Sequence, residues 1–126
     1  MSLTCNIIEQ QAGKVIRVAM AGELDTLTAP DCERELAAAA RPGLEMLVLD
    51  MKDLSYISSA GLRVVFKAAK QAKAAGTRFA LANRQPQIVK VFEIVKALPD
   101  INIFRDDSEL DGYLTAMQEK TLRGED

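Results

Sequence analysis

The stretch Tyr56-Ile57-Ser58-Ser59-Ala60-Gly61-Leu62 joins a strand-like run, residues 46–50, to an amphipathic helix. The helix is indicated by apolar residues at the spacing of one helical face, namely Leu62, Val65, Phe66 and Ala69. Two hydroxyl groups therefore lie at a helix start, where backbone N–H groups lack intrahelical partners and the helix dipole favours negative charge. We predict that Ser58 caps the helix and that Ser59 begins its first turn near solvent.

Strand and helix patterns alternate along the rest of the chain. Strand-like runs occupy residues 6–9, 14–20, 46–50, 78–82 and 101–104. Helices are expected after Thr28, Ser58, Pro86 and Ser108, with Thr28 and Ser108 as further caps. The third helix has an apolar face formed by Ile88, Val91, Phe92 and Val95. The order predicts an α/β fold with a mostly parallel sheet of four to five strands, an N-terminal antiparallel hairpin and about four helices, in a single domain spanning 1–126.

Composition excludes several classes of function. The net charge is -2 without a basic block, so nucleic acid is not an expected partner. No apolar run is long enough to span a bilayer and no signal-peptide pattern begins the chain, so we expect a cytoplasmic protein without a membrane partner. Histidine is absent, so neither a zinc site nor a serine–histidine pair is expected, and we predict no metal, cofactor or catalytic residue.

The two cysteines, Cys5 and Cys32, are far apart in sequence and match no metal-ligand spacing. The simplest interpretation is that both are small buried apolar groups. A disulfide is the alternative with the smaller weight, because a reducing compartment disfavours it.

Three segments together resemble a known family. They are Gly22-Glu23-Leu24-Asp25, Leu47-Val48-Leu49-Asp50 and the serine stretch quoted above. In this order and spacing they resemble the STAS domain of bacterial anti-sigma factor antagonists. The resemblance covers residues 8–122 and implies that Ser59 is the phosphoacceptor. The common family pattern has aspartate where this chain has Ser58, so Ser58 is a second candidate for the modified residue. Ser59 is preferred because the capping hydroxyl of Ser58 is expected to be occupied by backbone.

The resemblance also implies the function. It predicts a non-enzymatic binding switch that, when unphosphorylated, binds a serine-kinase anti-sigma factor of the histidine-kinase-like ATPase type. A metal-dependent serine phosphatase would reverse the modification. The partner-binding residues expected from it are Asp25, Ser58, Ser59, Ala60, Gly61 and Arg63. The alternative is a STAS module that binds a small ligand or nucleotide, or a scaffold subunit of a larger complex. The chain has neither a Gly-x-x-x-x-Gly-Lys loop nor a Gly-x-Gly-x-x-Gly fingerprint for binding phosphates.

Several residues near the motif have a second interpretation. Asp25 is as well explained by a turn before the first helix, and Asp50 by a strand end rather than by the phospho-accepting aspartate of a receiver domain. Arg63 shares a helix face with Lys67 and Lys70, and this face is either a contact surface for an acidic partner or simply solvated. Near the serine motif, two apolar residues are candidates for exposed contacts, namely Met51 and Leu54, and packing in the core is an equally good interpretation of both.

Overall fold

The computed structural model describes residues 2–94 and 101–122. The strands are β1 Leu3–Gln10, β2 Val15–Leu24, β3 Met46–Ile57, β4 Arg78–Ala82 and β5 Ile101–Phe104. The helices are α1 Ala29–Ala39, α2 Ser59–Ala74, α3 Pro86–Ile94 and α4 Asp107–Leu122. This is the predicted order of elements, and Val95 lies outside the described residues.

The strands form one sheet in the order β1-β2-β3-β4-β5. β1 pairs with β2 in the antiparallel direction, and the other neighbours pair in parallel. The predicted fold class is therefore confirmed. Because parallel strands need crossover connections, the helices lie against the faces of the sheet and the carboxyl ends of β2, β3 and β4 meet at one edge.

The sheet has a different core on each face. One core joins α1, α2 and α3 to alternate strand residues, including Val18, Leu49 and Leu81. On the other face, Leu110 and Leu114 of α4 pack against strand residues of opposite parity, which are Val15, Met46, Val48, Ala80, Ala82 and Phe104. This alternation explains the nearly continuous apolar composition of the central strands, since both of their faces are covered.

The structure corrects the predicted length of β3. The strand continues seven residues beyond Asp50, to Ile57. It does so because β2 also continues and pairs with it through Leu24↔Ile57, after two register shifts. The serine motif consequently follows the strand directly, with Ser58 alone between β3 and α2.

The predicted cap at Ser108 is wrong, and the one at Thr28 is right in its position but not in its hydrogen bond. Thr28 occupies the N-cap position of α1 but its side chain makes no capping hydrogen bond. Its hydroxyl instead donates to the Glu23 carbonyl oxygen at 2.8 Å and thereby holds the preceding turn. At α4, Asp106 accepts from the Glu109 N–H at 3.0 Å, and Ser108 already lies inside the helix.

Candidate functional site

The serine pair lies at the carboxyl edge of the two central strands. Leu24 and Ile57 are paired at the ends of β2 and β3, and the Ser58 N–H donates to the Leu24 carbonyl oxygen at 2.9 Å. α2 starts at the next residue, Ser59. The first turn of this helix is therefore fixed to the sheet by a backbone hydrogen bond.

The two serines have different surroundings. Ser58 is half-buried, and its Oγ accepts from the Gly61 N–H at 3.2 Å, so the predicted N-cap is confirmed. Ser59 is exposed as the first residue of α2. The Ser58 hydroxyl is therefore used by the helix start. Ser59 is an accessible side chain in the first turn, where backbone N–H groups have no intrahelical partners.

Gly61 allows α2 to approach the sheet closely. A Cβ at this position would lie 2.7 Å from Leu24 Cγ, 2.9 Å from the Leu24 carbonyl oxygen and 2.9 Å from Ile57 Cγ1. Real side chains do not occupy such distances, so only glycine fits. Gly61 is buried, Ala60 is half-buried and Arg63 is exposed. Of these three predicted partner-binding residues, Gly61 can act only by positioning the helix start.

Asp25 is buried in the turn between β2 and α1. Its Oδ1 accepts from the backbone N–H groups of Leu27 at 2.9 Å and Thr28 at 3.0 Å, and from the Thr28 hydroxyl. The bond from the Thr28 N–H is the main cause that lowers the pKa of the Asp25 carboxyl. The second oxygen, Oδ2, is buried and has no hydrogen-bond partner among the described residues. Asp25 therefore has the expected role in the turn through Oδ1, whereas Oδ2 does not contribute to it.

A cavity of about 310 Å³ lies between the Asp25 turn and the start of the serine-bearing helix. It is lined by Glu23, Asp25, Thr26, Leu27, Tyr56 and Ser58. Leu27 is 79% exposed and Tyr56 48% exposed, which is unusual for large apolar side chains at one spot. Of the two interpretations of Met51 and Leu54, core packing is the correct one, because both side chains are completely buried.

The exposed pair Leu27 and Tyr56 was missed by the sequence interpretation. Tyr56 is the first residue of the quoted motif, and its exposure is evident only in the structure. There β3 continues to Ile57, with Leu54 and Ile57 buried and with residues 55 and 56 exposed. Leu27 follows Thr26 in a short turn, and no sequence signal distinguishes it from a core leucine. Exposure of these two residues therefore depends on the tertiary structure.

Asp50 belongs to a separate polar cluster on the α4 side of the sheet. Its Oδ2 accepts from Arg17 at 2.6 Å and 3.1 Å, and its Oδ1 accepts from Asn83 and from the Lys52 N–H, each at 3.0 Å. Asp107 completes the cluster by accepting from Arg17 at 2.6 Å and Asn83 at 2.8 Å. Asp50 is an interior strand residue rather than a strand end, and its carboxylate is fully used by the fold.

The basic face of α2 is partly paired within the molecule. Lys67 lies 3.0 Å from Glu33 of α1, so this residue links the two helices. Arg63 and Lys70 are exposed. Arg63 is four residues after Ser59, which places both side chains on the same side of the helix.

Comparison with known proteins fits this geometry. A family model for the STAS domain matches residues 6–110. The chain belongs to the STAS domain family. Within this STAS protein, the matched region contains the sheet, apart from the first three residues of β1, and the serine-bearing start of α2.

Two sequence relatives of the STAS protein carry related names. It is 31% identical over 99 residues to the anti-sigma-B factor antagonist of Bacillus subtilis, a match that covers 79% of the chain and 89% of the relative. It is 42% identical over 73 residues, 58% of the chain, to a Bordetella bronchiseptica protein assigned as the anti-sigma factor antagonist BtrV. The chain spans just under two thirds of that protein's length, 63%.

The fold of the STAS protein is that of Bacillus SpoIIAA. The unphosphorylated anti-sigma factor antagonist SpoIIAA superposes with a TM-score of 0.68 at 17% identity, covering 90% of this chain and 98% of SpoIIAA. Its phosphorylated form gives a TM-score of 0.66 at 19% identity, covering 87% and 99%. Across the part of the chain that the structure describes, none of the helices combines the length and apolar character needed to cross a bilayer.

Proposed function

We propose that this STAS protein is an anti-sigma factor antagonist controlled by phosphorylation of Ser59. Unphosphorylated, it binds a serine-kinase anti-sigma factor of the histidine-kinase-like ATPase type, and a metal-dependent serine phosphatase restores this form after phosphorylation. The names of the Bacillus and Bordetella relatives support the antagonist role. We expect the protein to act in the cytoplasm, because its proposed partners do.

The observation that carries the proposal is that Ser58 and Ser59 have different structural roles. Ser58 holds the helix start through its bond with the Gly61 N–H, while Ser59 is exposed at the first position of α2. A phosphoryl group adds a charge of about -1.5 to -2. At Ser59 this charge would meet the positive end of the helix dipole, with Arg63 one turn further on. The fold can therefore accept the modification, and Ser59 is favoured over Ser58.

The surface around Ser59 is suited to a protein partner. Leu27 and Tyr56 present apolar area beside the cavity that Ser58 also lines. Asp25 lines the same cavity, and its Oδ2 has no hydrogen-bond partner among the described residues. A donor group of the partner that enters the cavity would satisfy this oxygen and remove the cost of leaving it unpaired. We therefore assign Asp25, Ser58, Ser59, Ala60 and Arg63 to the interface, with Leu27 and Tyr56 added.

The same geometry explains how the switch would work. A docked partner covers Ser59, and a phosphate buried there without a matching cation costs several kcal/mol. A loss of about 3 kcal/mol weakens a complex more than a hundredfold, which is sufficient for release. The antagonist itself should change little, since the charge is compatible with its own helix start.

The test combines phosphorylation and binding. After incubation with the cognate kinase and ATP, mass spectrometry should find one phosphate, located on Ser59, and Ser59→Ala should remain unmodified. Ser59→Asp should bind the kinase at least a hundredfold more weakly than the wild type, with a melting temperature within about 2 °C of it. Ser58→Ala serves as the matched control and should still accept the phosphate. Phosphate on Ser58 alone, or full binding by Ser59→Asp, would refute the proposal.

The ligand-binding alternative has one structural feature in its favour, the 310 Å³ cavity. The carboxylates of Glu23 and Asp25 line it, and they would repel the phosphates of a nucleotide. Titration calorimetry with GTP, ATP and flavin mononucleotide distinguishes the two functions, since micromolar binding would favour the ligand module. A scaffold subunit would instead retain identical partners in its Ser59→Ala and Ser59→Asp forms.

A further inference from the structure

The fold brings together the two cysteines that are distant in sequence. Cys5 is in β1, opposite Met20 of β2, so its side chain lies on the face of the sheet that α1, α2 and α3 cover. Cys32 is near the start of α1 and is completely buried in the core of that face. Cys5 is partly buried and packs against the same core.

Both thiols border one small cavity. The cavity measures about 240 Å³ and is lined by Leu3, Cys5, Asp31, Cys32, Arg34 and Glu35. The Cys5 and Cys32 side chains therefore meet at one place between β1 and α1. A partly exposed cysteine is therefore beside a buried one at the wall of this cavity.

The two thiols are not equivalent. The hydrogen bond from Cys32 lowers the pKa of Cys5, which favours its thiolate. The same bond, together with burial, raises the pKa of Cys32. Cys5 thus has the accessibility and the thiolate character of an attacking nucleophile, whereas Cys32 is protected until a neighbouring sulfur becomes oxidised.

We propose that Cys5 and Cys32 form a reversible redox pair that closes a disulfide between β1 and α1. With oxidised glutathione as the oxidant, the Cys5 thiolate attacks one glutathione sulfur, a mixed disulfide forms and one glutathione thiolate leaves. The Cys32 thiol then releases its proton to water and attacks the Cys5 sulfur. The Cys5–Cys32 bond forms and the second glutathione leaves as a thiolate, so two protein thiols are oxidised and one disulfide is reduced.

The bond would strengthen a weakly held part of the sheet. β1 is an edge strand with most of its residues exposed, and among the strands that the structure describes it pairs with β2 alone. A covalent link from Cys5 to the first half of α1 would fix this edge and close a loop of residues 5–32. The unfolded chain would then lose freedom that it has in the reduced form, so the oxidised protein should be more stable.

The test uses the full folded chain and oxidised glutathione. After oxidation and trypsin digestion without reductant, mass spectrometry should find residues 1–14 joined to residues 18–34, two hydrogens lighter than the separate peptides. The intact protein should show no disulfide between two chains on non-reducing electrophoresis. Its melting temperature should rise by roughly 5–10 °C and return after treatment with dithiothreitol.

Two variants assign the roles of the thiols. Cys32→Ala should stop at a stable mixed disulfide on Cys5, and Cys5→Ser should leave Cys32 unmodified in the folded protein. A persistent mixed disulfide in the wild type, a disulfide-linked dimer or unreacted thiols would each overturn the proposal. None of these readouts depends on Ser59 or on an anti-sigma factor.

Discussion

Asp25 and Asp50 are both 7% exposed, yet the two carboxylates have different hydrogen-bond environments. Asp50 lies in the middle of β3, and both of its oxygens accept hydrogen bonds from side chains or backbone. Asp25 lies in a turn at the sheet edge, and one of its oxygens has no partner among the described residues. Burial alone therefore does not separate a structural acid from a candidate contact residue.

The difference lies in how completely each group is satisfied. The Asp50 cluster joins β2, β3 and α4 through Arg17 and Asp107, with Asn83 completing it. A buried charge of this kind is tolerated because it is paired and hydrogen-bonded. The Asp25 turn satisfies one oxygen and leaves the other buried, which costs free energy in the isolated protein. The unsatisfied oxygen of Asp25 is therefore a candidate contact for a protein partner that donates a hydrogen bond.

The largest expected effect comes from removing Asp50. Asp50→Ala leaves Arg17 in an interior position with only the half-exposed Asp107 as a counter-charge. We expect the free energy of unfolding to fall by about 3 kcal/mol or more, measured by urea denaturation. Asp25→Ala should cost less than half of that, because the same change also removes an unpaired oxygen. Equal losses in the two variants would contradict the distinction.

Partner binding should show the reverse order. Asp25→Ala is expected to weaken binding of the cognate kinase about tenfold or more, because the proposed acceptor is lost. Asp50→Ala, assayed at a temperature where it is folded, should bind like the wild type. If both variants bind alike, the unpaired oxygen of Asp25 has no role in recognition.

A second prediction concerns the fit between α2 and the strand ends. Gly61→Ala would place a methyl group against Leu24 and Ile57, including a backbone oxygen that cannot move aside. We expect a loss of about 2 kcal/mol in the free energy of unfolding. Weaker partner binding should accompany it, because the helix that carries Ser59 must shift.

Gly112 of α4 provides the matched control. A Cβ at this position would have no atom within 4 Å, and the residue is exposed in a helix. Gly112→Ala should therefore raise the free energy of unfolding by about 0.5–1 kcal/mol. Urea denaturation of both variants measures the contrast, and a similar change in the two would mean that the close approach at Gly61 does not limit stability.

The smallest effect concerns pH and the α4 side of the sheet. Hydrogen bonds from Asn83 and Arg17 lower the pKa of Asp107. A carboxyl whose pKa is lower in the folded state contributes stability above its ordinary pKa, and this contribution disappears as the pH falls through the lowered value. Asp107→Asn should therefore be less stable than the wild type above about pH 5, by under about 1 kcal/mol. Below about pH 3 the two proteins should converge.

Thermal unfolding across this pH range measures the difference. Asp111→Asn, an exposed change in the same helix with the same effect on net charge, is the control and should follow the wild-type curve. A constant difference between Asp107→Asn and the wild type at all pH values would show that the Asp107 carboxylate is not the source of the effect.

Much of the architecture could be predicted from local pattern. The order of strands and helices, the hairpin and the cap at Ser58 follow from hydrophobic period, turn residues and a short polar side chain at a helix start. The far end of β3 could not, because residues 51–57 acquire strand structure by pairing with β2 across two register shifts. The exposure of Tyr56 depends on this pairing and was therefore missed.

By itself, the sequence determined the α/β order, the family and the serine motif, since these depend on residue types at fixed spacing. Tertiary structure alone decided which acid accepts hydrogen bonds at both of its oxygens, which apolar residues are exposed and which cysteines are neighbours. Each of these is a contact between segments that are distant along the chain, as for Arg17 with Asp50 or Cys5 with Cys32. Local periodicity contains no information on such contacts, because they arise only when strands and helices pack together.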